Sequence, residues 1–256
     1  MALSENWRRL HEEERGEMNL EKRVAHWVDL SNSHTDYTEV YKLQENLAKL
    51  RSEGLICDTI LFCQHTPIIN FGGLKQFNSF SNEFLSFLRN LYPHATDLTP
   101  LAIEYLKEQG IGFVQSAGRG GGSAYIGPGQ LTVYPIVDYN QIRANNKEIT
   151  YKDKIDFIMK EVLNSFGIGA KIVEDRRDGR EGRKDVWLDM KGQSYKMGGK
   201  AVIFRPVTRE GTSRVPVAYH GFTLNVTRDS TKGFSYINIC GYSQDELKAI
   251  SIEDVT

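Results

Sequence analysis

Segments with helical periodicity and segments with strand periodicity alternate along this chain of 256 residues. From Thr35 to Ser52 apolar residues recur at helical spacing and Gly54 provides a stop, which predicts an amphipathic helix. The short apolar run Thr59–Cys63 predicts a buried strand, so its thiol is expected to be core packing. Because no linker is long enough to divide the chain, we expect one α/β domain, of the α+β kind, with a largely β second half.

Three further helical patterns follow. The polar stretch 75–98 is interpreted as a surface helix inserted between core elements, and residues 99–109 form the next helix. In the third helix, Tyr151–Phe166, the face predicted to be buried carries Ile155, Ile158, Met159, Val162 and Phe166. Other strands are predicted at Ile111–Gln115, Leu131–Val137, 171–174, 185–189, 195–205 and 218–227.

The composition excludes several classes of partner. With 32 basic and 33 acidic residues, a net charge of -1 gives no general attraction to nucleic acid or to anionic lipid. No apolar run approaches the ~18 residues that span a bilayer. Three cysteines are too few for a disulfide framework and indicate a reducing compartment. We therefore expect a soluble protein. Residues 1–30 are interpreted as an N-terminal extension whose acidic residues do not fit a clear presequence.

Cys240 is the only cysteine in a polar, turn-rich setting, Asn238–Gly241, and the segment His220–Val226 precedes it. A substrate can reach a thiol in so small a turn, whereas a thiol inside an apolar strand is shielded. Cys240 is therefore the candidate nucleophile.

A glycine-rich segment, residues 117–130, lies between two predicted strands. It lacks the strand-to-helix context and the Gly-Lys-Ser/Thr ending of a phosphate loop, so a nucleotide phosphate is not the favoured ligand. Its glycines let the backbone approach a ligand, and Gly127-Pro128-Gly129 favours a turn. A flexible surface loop is the alternative interpretation.

These motifs together resemble the lipoyl (octanoyl) transferases of the biotin/lipoate ligase superfamily. The resemblance covers roughly residues 35–256 without the insertion near 75–98, and it implies a mixed central sheet flanked by helices in one catalytic domain, residues 31–256. The matching motifs, in order, are Tyr37 to Leu50 with Leu43-Gln44, His65-Thr66-Pro67, Arg119-Gly120-Gly121 with Tyr125, Gly127–Gln130, Tyr134-Pro135-Ile136, Lys196–Ala201, His220–Val226 and Asn238–Gly241.

The resemblance also implies a reaction. As a thiolate, Cys240 attacks the octanoyl thioester of octanoyl-acyl carrier protein, and a lysine of a lipoyl domain then takes the acyl group as an amide. Acceptors are the E2 subunits of 2-oxoacid dehydrogenases and the glycine cleavage H protein. Since thioester to amide is downhill, no ATP, metal or other cofactor is expected. We expect a monomer, cytoplasmic in a bacterium, or in the mitochondrial matrix or plastid of a eukaryote.

Lys196 is the partner that the resemblance implies for Cys240, because a nearby ammonium favours the thiolate and can shuttle its proton. A solvated strand lysine is the alternative. Lys200 competes for the role, since strand alternation would put both lysines on one face. The residues implied to contact substrate are Arg119, Gly120, Gly121, Gly122, Ser123, Ala124, Tyr125, Ile126, Gly199, Lys200, Ala201, Gly221, Phe222 and Thr223.

The chain departs from the transferase pattern at several positions. Ile126 stands where the family usually has histidine and Ala124 where it has threonine, and both changes remove polar groups from the implied site. Two other classes stay open: an ATP-dependent lipoate ligase on the same fold, and a non-catalytic relative that binds lipoylated proteins. His220 is either a hydrogen-bonded strand residue or part of the pocket wall. The basic residues of 176–184 are either a docking patch for acidic partner domains or a solvated loop.

Overall fold

The computed structural model describes residues 25–71, 80–115, 123–140, 150–175, 183–205, 208–209, 212–213, 215–239 and 242–256. The helices are α1 (Tyr37–Ser52), α2 (Asn82–Leu91), α3 (Thr99–Glu108) and α4 (Tyr151–Ser165), with a 3-10 helix at Arg228–Tyr236. The strands are β1 (Ala25–Thr35), β2 (Asp58–His65), β3 (Ile68–Phe71), β4 (Gly112–Gln115), β5 (Ala124–Ile126), β6 (Gln130–Asp138), β7 (Lys171–Asp175), β8 (Arg183–Met190), β9 (Gln193–Lys196), β10 (Gly198–Arg205), β11 (Thr208–Arg209), β12 (Thr212–Ser213), β13 (Val217–Asn225) and β14 (Leu247–Ala249).

A five-stranded mixed sheet, ordered β1-β2-β6-β13-β10, forms the centre of the fold. Its β1 and β2 are parallel and its other neighbours are antiparallel. A four-stranded sheet, β14-β9-β8-β7, and a three-stranded sheet, β4-β3-β5, lie beside it. The mixed α/β fold that the sequence predicts is confirmed. Because β1 begins at Ala25, paired with Asp58, the predicted boundary at residue 30 falls inside a strand of the central sheet.

Helix α1 covers one face of the central sheet, as its periodicity predicts. The Asp36 side chain accepts a hydrogen bond from the Glu39 backbone N–H and caps the first turn. Beyond the last turn, Gly54 adopts a φ of 73°, the left-handed conformation that favours glycine. Val40 is buried against the cluster that contains the Cys63 thiol, whose pKa is raised to about 12 by burial. The prediction that this thiol belongs to the core is confirmed.

Helix α4 packs on the opposite side, in the main core, through the i, i+4 stripe Ile155, Met159 and Leu163. The predicted face was partly wrong: Ile158 is 45% exposed and Phe166 is 54% exposed. Ile158 lies off this stripe, and Phe166 follows the end of the helix as its C-cap.

Helices α2 and α3 close a second core over β3, β4 and β5. Phe84 and Leu88 of α2 pack with Leu106 of α3 against Tyr125 and Ile237. The helix predicted at 75–98 is therefore present but shorter, and residues 72–79 lie outside the described residues. Among the helices that the structure describes, none has the length and apolar character to cross a membrane.

Candidate active site

The lysine motif divides at Met197. Strand β9 ends at Lys196 and β10 begins at Gly198, and the two strands belong to different sheets. The sequence predicted one strand over 195–205, with Lys196 and Lys200 on the same face. That expectation is wrong because the buried Met197 side chain enters the main core and ends the first strand.

Lys196 lies on the face of its sheet that is turned away from the main core. Its cross-strand neighbours are Trp187 on β8 and Ala249 on β14. The alternate residues Val186 and Leu188 enter the main core, which leaves Trp187 on the opposite face. Despite its charge, Lys196 is only 8% exposed.

The chain on either side of Cys240 packs onto that same face. Ile239 and Tyr242 are buried, and the Tyr242 N–H donates to the Ile239 carbonyl at 3.0 Å. Both belong to a cluster with Leu247, against which Trp187 and Ala249 pack. The rings of Tyr242 and Trp187 meet edge to face, with centroids 5.5 Å apart. Cys240 and Gly241 themselves lie outside the described residues.

Lys200 enters a different environment. It pairs across the sheet with Phe222, and its ammonium forms an ion pair with Asp156 of α4. The Lys200 side chain is 10% exposed and the Asp156 side chain is 1% exposed. This lysine therefore neutralises a buried carboxylate between the central sheet and α4.

The described arm of the glycine-rich segment begins at Ser123, because Arg119, Gly120, Gly121 and Gly122 lie outside the described residues. Ser123 and Tyr125 are buried, and Ala124 is half-buried opposite Asn70 of β3.

The Tyr125 ring meets Phe234 edge to face at 5.7 Å, and Phe234 also packs on the cluster of Ile239 and Tyr242. A side-chain Cβ at Gly127 would lie 2.3 Å from the Tyr125 hydroxyl oxygen, and one at Gly233 would lie 2.1 Å from its ring. Glycine at these two positions thus lets the ring sit against the segment that leads to Cys240. Burial raises the pKa of Tyr125 to about 12, so the phenol stays protonated at neutral pH.

Ile126 packs in an apolar cluster with Tyr37 and Ile68. Where the transferases usually carry an imidazole, this chain has a buried hydrocarbon side chain that contacts α1. The Ile126 side chain offers no group for hydrogen bonding or proton transfer.

Two of the predicted substrate-contacting segments are direct neighbours. Gly199, Lys200 and Ala201 on β10 pair with Thr223, Phe222 and Gly221 on β13, respectively. The buried Phe222 belongs to the main core, and the Thr223 hydroxyl lies 3.2 Å from that of Thr132. A Cβ built at Gly199 would meet within 4 Å, among its described neighbours, the Lys196 Cε at 3.8 Å. Gly199 is therefore packed beside the lysine stem, at a distance where a Cβ would make ordinary van der Waals contact.

A buried pair of amide side chains connects the motifs, and the sequence interpretation missed it. Gln130 accepts from the Gly127 N–H at 2.9 Å and donates to the Asn225 side-chain oxygen at 3.0 Å. Asn225 in turn donates to the carbonyl of Lys196 at 3.3 Å. The pair thus fixes the Gly127 turn relative to the end of β9. The available signal was two amides inside otherwise apolar strand patterns, where a buried polar group requires partners.

His220 lies in β13 with a φ of 69°, in the left-handed region, within the stretch 219–221 that is not paired with β6. A Cβ at the next residue, Gly221, would lie 2.1 Å from the Val133 carbonyl oxygen and 2.7 Å from the Pro135 Cδ. The His220 Nδ1–H donates to the Gln44 side-chain oxygen at 3.3 Å, and its Nε2 lies 3.4 Å from the Tyr37 hydroxyl. His220 is therefore a buried, hydrogen-bonded residue against α1.

His65 is buried too. Its Nε2 lies 2.9 Å from the Tyr134 hydroxyl and its Nδ1 lies 3.0 Å from the Thr35 hydroxyl. Burial lowers the pKa of His65 to about 4, so this imidazole is neutral at physiological pH. Within the described ranges, no three His, Cys, Asp or Glu side chains come together as a metal site would require.

Comparisons with known proteins identify the family of this chain. Residues 94–254 match the model of the lipoyl protein ligase A/B catalytic domain. An octanoyltransferase of Koribacter versatilis is 31% identical over 235 residues, which cover 88% of this chain and 78% of the relative. An octanoyltransferase of Chloroflexus aggregans is 30% identical over 220 residues, which cover 86% of this chain and 81% of the relative.

Solved structures show the same fold. P. falciparum LipL1 in complex with lipoate has a TM-score of 0.54 at 14% identity, covering 91% of this chain and 56% of the LipL1 chain. The T. acidophilum protein Ta0514 has a TM-score of 0.50 at 16% identity. The match covers 90% of this chain and 76% of the Ta0514 chain. The catalytic fold is therefore that of the biotin/lipoate ligases. The chain belongs to the lipoyl protein ligase A/B catalytic domain family and, within it, to the octanoyltransferases, which are acyltransferase enzymes.

Proposed function

We propose that this enzyme transfers an octanoyl group from octanoyl-acyl carrier protein, through a thioester on Cys240, to the lysine of a lipoyl domain. The observation that carries the proposal is the packing of Ile239 and Tyr242 against Trp187 and Ala249. These last two residues are the cross-strand neighbours of Lys196, so the chain that flanks the thiol covers the face that presents the lysine.

In the first step the Cys240 thiolate attacks the carbonyl carbon of the donor thioester. A new bond forms between the Cys240 sulfur and the carbonyl carbon, and the bond to the carrier sulfur breaks. Lys196 holds the proton released by Cys240 and delivers it to the departing carrier thiol. Because Lys196 is almost fully buried, its ammonium is weakly solvated and stabilises the thiolate more than an exposed lysine would.

In the second step the amine of the lipoyl-domain lysine attacks the acyl-enzyme. A carbon–nitrogen bond forms, the carbon–sulfur bond to Cys240 breaks, and the proton lost by the amine passes through Lys196 to the sulfur. The products are an amide and the free thiol, so the cycle returns to its starting state. Both steps proceed without ATP or metal, because the thioester already carries the free energy that the amide requires.

The acyl chain is proposed to lie beside Lys196, next to Gly199, which has no side chain, and to the neighbouring strand residues Gly221–Thr223. Arg119–Gly122 and Ser123–Ile126 are proposed to close the other side, and Tyr125 links that arm to the Cys240 segment through Phe234. The acceptors are lipoyl domains of 2-oxoacid dehydrogenase E2 subunits and the glycine cleavage H protein. The bacterial relatives support a cytoplasmic site of action.

Intact-mass spectrometry tests the proposal. After incubation with octanoyl-acyl carrier protein, the protein should gain one octanoyl group, and Cys240→Ser should gain none. Adding a lipoyl domain should remove the group and transfer it to the acceptor lysine. A requirement for ATP and free octanoate would indicate a ligase instead. A folded protein that binds lipoyl domains and never acquires the acyl group would indicate a non-catalytic relative. The apolar Ile126 and Ala124 are the observation that motivates this alternative.

A further inference from the structure

An indole N–H beside the candidate site is buried without an acceptor. The Trp187 Nε1 atom is shielded from solvent, and none of the residues that the structure describes accepts a hydrogen bond from it. Buried tryptophan N–H groups normally find a partner, because a donor removed from water without one destabilises the fold. An unpaired donor in a native structure therefore requires an explanation.

The position of Trp187 explains why its N–H has no acceptor. Trp187 is directly opposite Lys196 in the antiparallel pair of β8 and β9, where opposed Cβ atoms lie about 4.5–5.5 Å apart. The indole also meets the Tyr242 ring, two residues beyond Cys240. The ring is thus a neighbour both of the lysine and of the residues that flank the candidate nucleophile.

The other buried donors without an acceptor among the described residues are placed differently. The Gln44 side-chain amide is on α1 next to His220, and the Tyr151 hydroxyl is at the start of α4 in the main core. Trp187, in contrast, lies on the face opposite that core, in the cluster of Ile239 and Tyr242. An acceptor that arrives only with substrate accounts for a donor left unpaired in this place.

We propose that the Trp187 indole N–H donates a hydrogen bond to the carbonyl oxygen of the acyl thioester bound at Cys240. This inference rests on the proposed function, since it requires an acyl group on that sulfur. Negative charge develops on the carbonyl oxygen in each tetrahedral step, and a fixed donor stabilises it without reorganisation. Trp187 is thereby a substrate-contacting residue of the transfer reaction.

Kinetics and stability together distinguish this role from a structural one. Trp187→Phe keeps an aromatic ring in the cluster and removes the N–H. We expect kcat to fall by about 10–100-fold with little change in KM, a modest case of losing one oxyanion donor. We also expect a melting temperature equal to or above that of the wild type, because the variant no longer buries an unpaired donor. A lower melting temperature with an unchanged kcat would overturn the inference.

The matched control is Trp27→Phe, the same chemical change on β1, where the side chain is 69% exposed. This variant should retain the wild-type kcat.

NMR spectroscopy of the indole N–H groups tests the hydrogen bond without a measurement of turnover. In protein labelled with ¹⁵N at its three indoles, Trp187 is assigned through Trp187→Phe and Trp27 through its own variant. Octanoyl-acyl carrier protein is added without acceptor, and intact mass reports the adduct on Cys240. The Trp187 indole proton should move downfield and exchange more slowly with solvent on acylation, while Trp27 should stay unchanged. An adduct on Cys240 with an unchanged Trp187 signal would overturn this inference alone. The absence of any adduct would overturn the proposed function as well.

Discussion

Lys196 and Lys200 are four residues apart, yet the fold sends them to two different regions of the molecule. Lys200 lies between the central sheet and α4, where it neutralises the buried Asp156. Lys196 lies on another sheet, on the face covered by the residues that flank Cys240. A short motif thus supplies both a structural ion pair and the candidate catalytic amine.

The division depends on two small features of the chain. Met197 is fully buried in the main core, which ends β9. At the next residue, a Cβ on Gly198 would lie 2.3 Å from the Thr223 carbonyl oxygen, so glycine is needed where β10 begins against β13. The two lysines can therefore be separated by mutation, with different expected results for rate and for stability.

The largest expected effect is on catalysis at Lys196. Lys196→Met should lower the rate of octanoyl transfer by about 10²–10⁴-fold, the range for loss of a general acid–base group. It should leave the protein folded, because an uncharged side chain replaces a lysine that is already almost fully buried. Transfer from octanoyl-acyl carrier protein to a lipoyl domain measures the rate. A larger loss in Lys200→Met would reassign the catalytic role.

The next effect is on stability at Lys200. Lys200→Met removes the ammonium that pairs with the buried Asp156 carboxylate and should cost about 3–5 kcal/mol in the free energy of unfolding. The double variant Lys200→Met, Asp156→Leu should recover most of that loss, because replacing a buried ion pair by apolar groups is often close to neutral. Urea denaturation measures both variants. If the double variant were as unstable as the single one, the ion pair would not be the cause.

Acid should lower the free energy of unfolding of the whole protein, because His65 takes up a proton more readily in the unfolded chain. Its pKa is about 4 in the folded protein against an ordinary value of 6.5, so the unfolded chain takes up a proton first as pH falls. Stability present above pH 6.5 is therefore lost as pH falls toward 4, by about 3 kcal/mol. In His65→Gln the free energy of unfolding should depend less on pH over this interval. An unchanged slope would show that other groups dominate the acid response.

The smallest expected effect is on stability, at an exposed lysine–aspartate pair. Lys171 and Asp189 approach to 3.6 Å with side chains 69% and 48% exposed. Lys171→Met should change the free energy of unfolding by less than about 0.5 kcal/mol, because solvent screens such a pair. Compared with Lys200→Met, it measures how far burial determines the importance of a lysine–aspartate pair. A loss similar to that of Lys200→Met would contradict this reasoning.

Much of the fold could be predicted from residue periodicity. The helix beginning after Asp36 and the strand containing Cys63 follow from local patterns that their tertiary contacts reinforce. The burial of α4 was partly mispredicted, because Ile158 is apolar but lies off the stripe that contacts the sheet and Phe166 follows the end of the helix. Periodicity identifies a helix, whereas the neighbours in the fold determine which apolar residues are covered.

The sequence proposes the candidate site as a set of motifs but does not predict how they are arranged. Residues 195–205 have the composition of one strand, and the division at Met197 depends on packing against β13 and the main core. The link between Gln130 and Asn225 joins residues 95 positions apart, so no local pattern reveals it. The unpaired Trp187 donor likewise becomes visible only when its surroundings are known.

The central claim is that Lys196, and not Lys200, is the cation beside the Cys240 thiol. Alkylation of Cys240 by iodoacetamide as a function of pH, quantified on the Cys240 peptide, measures the pKa of that thiol directly. Cys63 does not compete, because burial raises its pKa to about 12. We predict a Cys240 pKa below the ordinary value of about 8.5, raised by about one unit or more in Lys196→Met and unchanged in Lys200→Met. A Cys240 pKa that responds to Lys200→Met and not to Lys196→Met would contradict the claim.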